Sequence, residues 1–114
     1  MKDFCRDTIL YRQLIDDSGT GASFADYTLT GVLVREVFAV DPDMTEDGTT
    51  PLYFFPGMSR CTDASGNVCG MPHPGYGDLA VLHAGEDRER TLRIAEAGYF
   101  TGDRGIGHIR LKLR

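Results

Sequence analysis

The sequence predicts an all-β fold: a small single-domain barrel or strongly coiled antiparallel sheet of about 5–7 strands spanning 1–114, with one long loop at 57–77. Three observations carry this. Apolar and β-branched residues recur in short runs, many with period two. Those runs are separated by turn chemistry, with 14 Gly and 5 Pro in 114 residues. No stretch sustains a helical period over several turns.

Residues 7–15, DTILYRQLI, place Ile9, Tyr11, Gln13 and Ile15 on one face and Thr8, Leu10, Arg12 and Leu14 on the other. Both faces carry apolar residues, so this first strand is expected to be covered on both sides. DDSGTGAS at 16–23 is a turn, because Asp and Ser bond their own backbone and Gly tolerates positive φ. Next, YTLTGVLVREVFAV at 27–40 reads as one long strand, with Gly31 marking a bulge or bend where a sheet curls. The acidic DPDMTEDGTTP at 41–51 is an exposed loop, and LYFF after it is a short buried strand.

From 57 to 77 the chain is rich in Gly and Pro and has no periodicity. A connection of that length is either functional or disordered. DLAVLH (78–83) is a strand, AGEDRER a charged turn, and TLRIAEAGYF (91–100) a half-buried strand. The only helical competitor is GEDRERTLRIAEAG, where Glu, Arg, Leu and Ala favour helix. The chain closes on a strand from His108 to Arg114, with Ile109, Leu111 and Leu113 inward and Arg110, Lys112 and Arg114 outward.

A chain of 114 residues supports one core and no second domain. The net charge of −5 opposes general attraction to nucleic acid or to an anionic membrane. No window reaches the roughly 20 apolar residues of a membrane span, and the first ten residues lack a signal-peptide core, so a cytoplasmic location is expected. Cys5, Cys61 and Cys69 form an odd set whose expected state is free thiol, with a Cys61–Cys69 bridge as the alternative.

Tests for chemistry come out empty. Cys61, Cys69, His73 and His83 lack the close ligand pairs of a structural zinc site. Asp41, Asp43 and Asp47 faintly echo a calcium loop, but Glu46 stands where Gly is required and Leu52 where a bidentate Glu is required. Cys61 or Cys69 with His73 or His83 could pair as thiolate and base, yet nothing in the sequence brings them together. Paired carboxylates, Asp16 with Asp17 and Glu86 with Asp87, fall in turns where both stay solvated. The expectation is no enzyme, no metal and no cofactor.

Charge is unevenly placed. Arg88, Arg90, Arg93, Arg104, Arg110, Lys112 and Arg114 are seven of the 12 Lys and Arg, all within the last 27 residues. They are either a solvated edge that discourages sheet aggregation or a surface for an acidic partner subunit or passing DNA. Acidic loops early and basic strands late would suit head-to-tail assembly of identical subunits.

The opening DTILYRQLIDDSGTGASFADYTLTGVLV, with its Asp-Thr-Ile strand, polar turn and Gly31-Val32 step, resembles the first hairpin of small neck proteins of tailed bacteriophages, the stopper-type head-completion or head-tail joining subunits. The ending LRIAEAGYFTGDRGIGHIRLKLR is similar to the same family's closing hairpin, with its Asp-Arg-Gly turn and HIRL strand. Together these cover about half of the chain, at its two ends, while 41–77 departs from the pattern.

The resemblance implies a virion (or prophage) structural protein, made in the bacterial cytoplasm and then built into the particle. It implies a β-barrel in a ring of identical subunits, docked on the portal or preceding connector and offering its other face to tail proteins. DNA would pass without sequence specificity, and no membrane or catalytic residue is called for. Under it, the 57–77 loop, with Cys61, Cys69, His73 and Tyr76, lines the channel or grips a neighbour. The alternative from the residues is a small binding module that takes a nucleic acid or ligand on its basic C-terminal hairpin. That reading lacks interleaved aromatics there, since Tyr99 and Phe100 are adjacent.

Overall fold

The computed structural model describes residues 7–16, 21–35, 48–101 and 107–114. Eight strands run in chain order: β1 (Asp7–Asp16), β2 (Ser23–Val34), β3 (Thr50–Phe54), β4 (Arg60–Asp63), β5 (Val68–Cys69), β6 (Leu79–Leu82), β7 (Arg90–Thr101) and β8 (Gly107–Leu113). All pairings are antiparallel. Six strands close on themselves in the order β1-β6-β7-β8-β3-β2, with β2 returning to β1. The remaining two, β4 and β5, form a hairpin attached to β2. The fold is therefore the expected all-β barrel, and no helix occurs among the described residues.

Closure works because the long strands change partner along their length. β2 pairs β1 from Ser23 to Val32, while its other edge is shared: Tyr27–Thr30 face β4, and Leu33 and Val34 face β3. Gly31 stands between the two, at φ +67°. Thr8 pairs Thr30 and Asp7 pairs Val32, so Gly31 is the extra residue of a bulge. The bulge resets the alternation, so that Leu29 and Val32 are both fully buried although three positions apart. Ser59 fixes the branch point. Its hydroxyl donates to the Gly31 carbonyl (2.6 Å) and accepts from the Phe55 amide (2.9 Å), holding the β3–β4 turn at the divergence.

A second bulge sits in β7. Ile94 pairs Leu113 and Glu96 pairs Lys112, which leaves Ala95 unmatched. The core gathers inward residues of the barrel strands and β4: Ile9, Tyr11, Leu29, Val32, Leu52, Phe54, Cys61, Ala80, Leu82, Ile94, Leu111 and Leu113. Burying side chains of this size contributes about 1.5–3 kcal/mol for each large aliphatic one.

Several expectations need correction. β1 is not covered on both faces: Ile9 and Tyr11 are buried on one, whereas on the other Thr8 is exposed and Arg12 pairs outward with Asp26 (3.0 Å). The 57–77 stretch is not one irregular loop, because it contains the β4–β5 hairpin. The possible helix over 85–98 is a charged turn followed by β7. The expected strand continuation at 36–40, the acidic loop at 41–47, most of the first turn (17–20) and the turn holding Arg104 (102–106) lie outside the described residues.

Candidate interaction surface

β7 is the longer partner in two ladders. β6 accompanies it only from Arg90 to Arg93, whereas β8 follows it out to Thr101. Beyond Ile94 the β6-facing edge of β7 therefore meets no strand among the described residues, and no residue from Ala95 to Thr101 is buried. The end of the β7–β8 hairpin is thus an arm leaving the barrel wall. Because of the Ala95 bulge, Tyr99 shares a face with Ile109, and Phe100 shares the opposite, outer face with His108.

That outer face collects rings from three strands. Phe100 stacks on His108 with centroids 4.8 Å apart and planes within 12°. His108 also meets Tyr53 (5.9 Å) and Phe55 (5.8 Å) from β3 and its following turn. The Arg110 guanidinium lies 5.0 Å from the Phe100 centroid. Ring pairs of this kind add about 0.5–1.5 kcal/mol and an exposed cation–π contact about 0.5–1 kcal/mol. Gly98 makes room: a Cβ there would stand 2.9 Å from the Phe100 ring. Phe100 remains 40% exposed and Tyr99 53% exposed. Between the arm and Pro56-Gly57 runs a mainly apolar cleft of about 500 Å³.

Next to the arm lies the segment from Gly70 to Gly77, fixed by Asp78. This carboxylate is 2% exposed and accepts from the Tyr11 hydroxyl (2.6 Å), the Leu14 amide (2.8 Å) and the Gly75 amide (2.8 Å). Burial, followed by the hydrogen bond and charge of Asp78, pushes the Tyr11 phenol well above its usual range. Farther along, His73 stacks on Tyr99 (5.6 Å) and its Nδ1 lies 3.0 Å from the Tyr99 hydroxyl. Partial desolvation also raises the Tyr99 phenol.

The residues singled out by sequence do not form one patch. From Arg90 to Gly98, the partner of Arg110, β7 runs about 26 Å at about 3.3 Å per residue. Arg88 lies in the β6–β7 turn beside Glu86 (3.7 Å), and Lys112 pairs with Glu96 (3.5 Å). Arg93 and Arg114 adjoin, with the Arg114 amide on the Arg93 carbonyl (2.8 Å). Among the described residues of this set, only Arg110 belongs to the aromatic cluster.

The four loop residues also separate. Cys61 is a core residue, 1% exposed, facing Cys69, whereas His73 lies against Tyr99 and Tyr76 projects at 97% exposure. Among the described residues no group of three His, Cys, Asp or Glu side chains could hold a metal ion. Sequence reasoning missed Tyr53, Phe55 and His108 because they meet Phe100 only through the β3–β8–β7 register. The available signal was their outward parity beside Leu52, Phe54 and Ile109.

No protein-family model, curated protein or solved structure matches this chain.

Proposed function

We propose that the chain is a structural subunit of the head–tail connector of a tailed bacteriophage or prophage, acting by assembly rather than catalysis. The observation that supports this most is the β7–β8 arm, with a β7 edge that no strand among the described residues pairs and with half-exposed Tyr99 and Phe100. An exposed edge offers backbone donors and acceptors to another chain. Aromatic rings beside an arginine are also the residue types that dominate binding at protein interfaces. The similarity of the two terminal hairpins to neck proteins directs this general assembly role to a ring of identical subunits between portal and tail. Arg110, Phe100 and Tyr99 then meet a neighbour, and the fully projecting Tyr76 is a second contact. DNA passes through the ring without being read.

One observation favours the alternative of a nucleic-acid or ligand module. Tyr53, Phe55, Phe100 and His108 supply the interleaved aromatics that the linear sequence lacks. Against it, Phe100 already stacks on His108 with Arg110 beside it, so the ring face turned to His108 is not open to a base.

The neighbouring genes test the assignment first: portal, capsid and tail genes alongside support it, and a metabolic or regulatory neighbourhood removes it. Arg110→Glu and Phe100→Ser tests the surface in a phage carrying the gene. Both variant chains are expected to fold, by circular dichroism, while yielding filled heads without tails. Plaque counts within about twofold of the parent for both variants would overturn the role given to the arm.

A further inference from the structure

Cys61 and Cys69 stand directly opposite each other in the β4–β5 ladder, with their sulfurs 3.6 Å apart. Opposed residues of antiparallel strands have Cα atoms about 4.5–5.5 Å apart, inside the span of about 4.4–6.8 Å that a disulfide bridges. The pair cannot slip out of register. Asp63 ties the turn by accepting from the amides of Ser65 and Asn67 (both 2.9 Å), and its own amide donates to the Asn67 carbonyl (2.9 Å). Room exists as well, since both cysteines line a cleft of about 460 Å³ with Met58, Val68, Gly70 and Met71. A metal site is the weaker alternative, because no third ligating side chain of the His, Cys, Asp or Glu type joins them among the described residues.

We propose that Cys61 and Cys69 form a reversible disulfide clasp, made by thiol–disulfide exchange with an oxidised low-molecular-weight disulfide such as oxidised glutathione. Cys69 is the less buried of the two and reacts first. Its thiolate attacks one glutathione sulfur, forming a mixed disulfide and releasing one glutathione thiolate. Cys61 then attacks the Cys69 sulfur, breaking the mixed disulfide and releasing the second glutathione thiolate. The protein has lost two electrons and two protons, and one glutathione disulfide has become two thiols. Burial, the largest cause of the upward displacement of the Cys61 thiol, persists in the mixed disulfide, so the second step is the slow one and accelerates with pH.

The clasp acts where the sheet has least support. Among the described residues β4 and β5 pair with the barrel strands through β2 alone, and Cys69 leads directly into the Gly70–Gly77 segment. Cross-linking the hairpin removes its opened states and steadies that segment. This inference does not depend on the connector assignment.

The test uses the full chain carrying Cys5→Ser, equilibrated with oxidised or reduced glutathione. Cys61 and Cys69 fall in a single tryptic peptide between Arg60 and Arg88, so the clasp appears as that peptide lighter by two hydrogens. The expected result is nearly complete conversion, a rise in Tm of about 5–10 °C, and reversal by reduced glutathione. Conversion should also accelerate between pH 7 and pH 9. Adding Cys69→Ser should abolish both the mass change and the Tm rise while preserving the fold. Persistence of the dithiol, arrest at the Cys69–glutathione adduct, linkage between chains, or an oxidised form with unchanged Tm would each overturn the proposal.

Discussion

Asp78 decides how the Gly70–Gly77 segment is held, and it does so from inside the barrel. Its carboxylate takes three donors, so removing the acceptor strands a buried hydroxyl and two amides at once. Leaving a buried donor unsatisfied costs about 1–3 kcal/mol, and bonds to a charged group are worth about 1.5–3 kcal/mol. Asp78→Ala is therefore expected to cost about 3–5 kcal/mol in urea unfolding, a large share of the stability of a domain this size. Tyr11→Phe removes a single donor and keeps the ring, so it should cost only about 1–2 kcal/mol. Equal losses in the two variants would mean that the amide bonds contribute nothing. None of this was legible in the sequence, where Asp78 is merely the polar residue before Leu79. Its partners at 11 and 14 lie 67 and 64 positions away.

At the scale of elements, most strands could be read from alternation, because residues such as Leu111 and Leu113 alternate with Arg110 and Lys112 and their burial follows. The Gly31 bulge was legible too, since a lone glycine in a β-branched run has few other uses. The β4–β5 hairpin was not read, although Asp-Ala-Ser-Gly-Asn at 63–67 is turn chemistry: its strands are short, and surrounding Gly and Pro masked them. The Ala95 bulge left no signal at all. It breaks a run of small and charged residues in which either parity looks acceptable, and it sends Phe100 outward.

Gly31 permits the sharpest test at this scale. A β-branched residue at φ +67° costs about 1–3 kcal/mol, and the turn fixed by Ser59 leaves the backbone little freedom to escape. Gly31→Val should lower stability by at least about 2 kcal/mol. Ser59→Ala should cost about 1–2 kcal/mol by removing the bond to the Gly31 carbonyl. The double variant should lose less than the sum, because both act on one branch point. Additive losses in a denaturant cycle would show that bulge and turn are independent.

For the molecule as a whole, the closed wall makes one core, and two of its members are weak acids. The Cys61 thiol is raised from 9.0 to about 12, chiefly by burial, and the Tyr11 phenol is displaced upward for the same first reason. In the unfolded chain these groups ionise near about 9 and about 10. Above those values the unfolded state releases protons that the folded state retains, so stability falls as pH rises. Below about pH 9 both groups are protonated in either state and their contribution is fully present. Tm should therefore be level from pH 7 to about pH 9 and decline steadily through pH 11. Tyr11→Phe, despite a lower starting Tm, should show a shallower decline above pH 10, and Cys61→Ala a shallower one from pH 9. If Tm stays level through pH 11, or if neither substitution flattens the fall, the two acids are not held protonated in the core and the barrel admits water where it is described as closed.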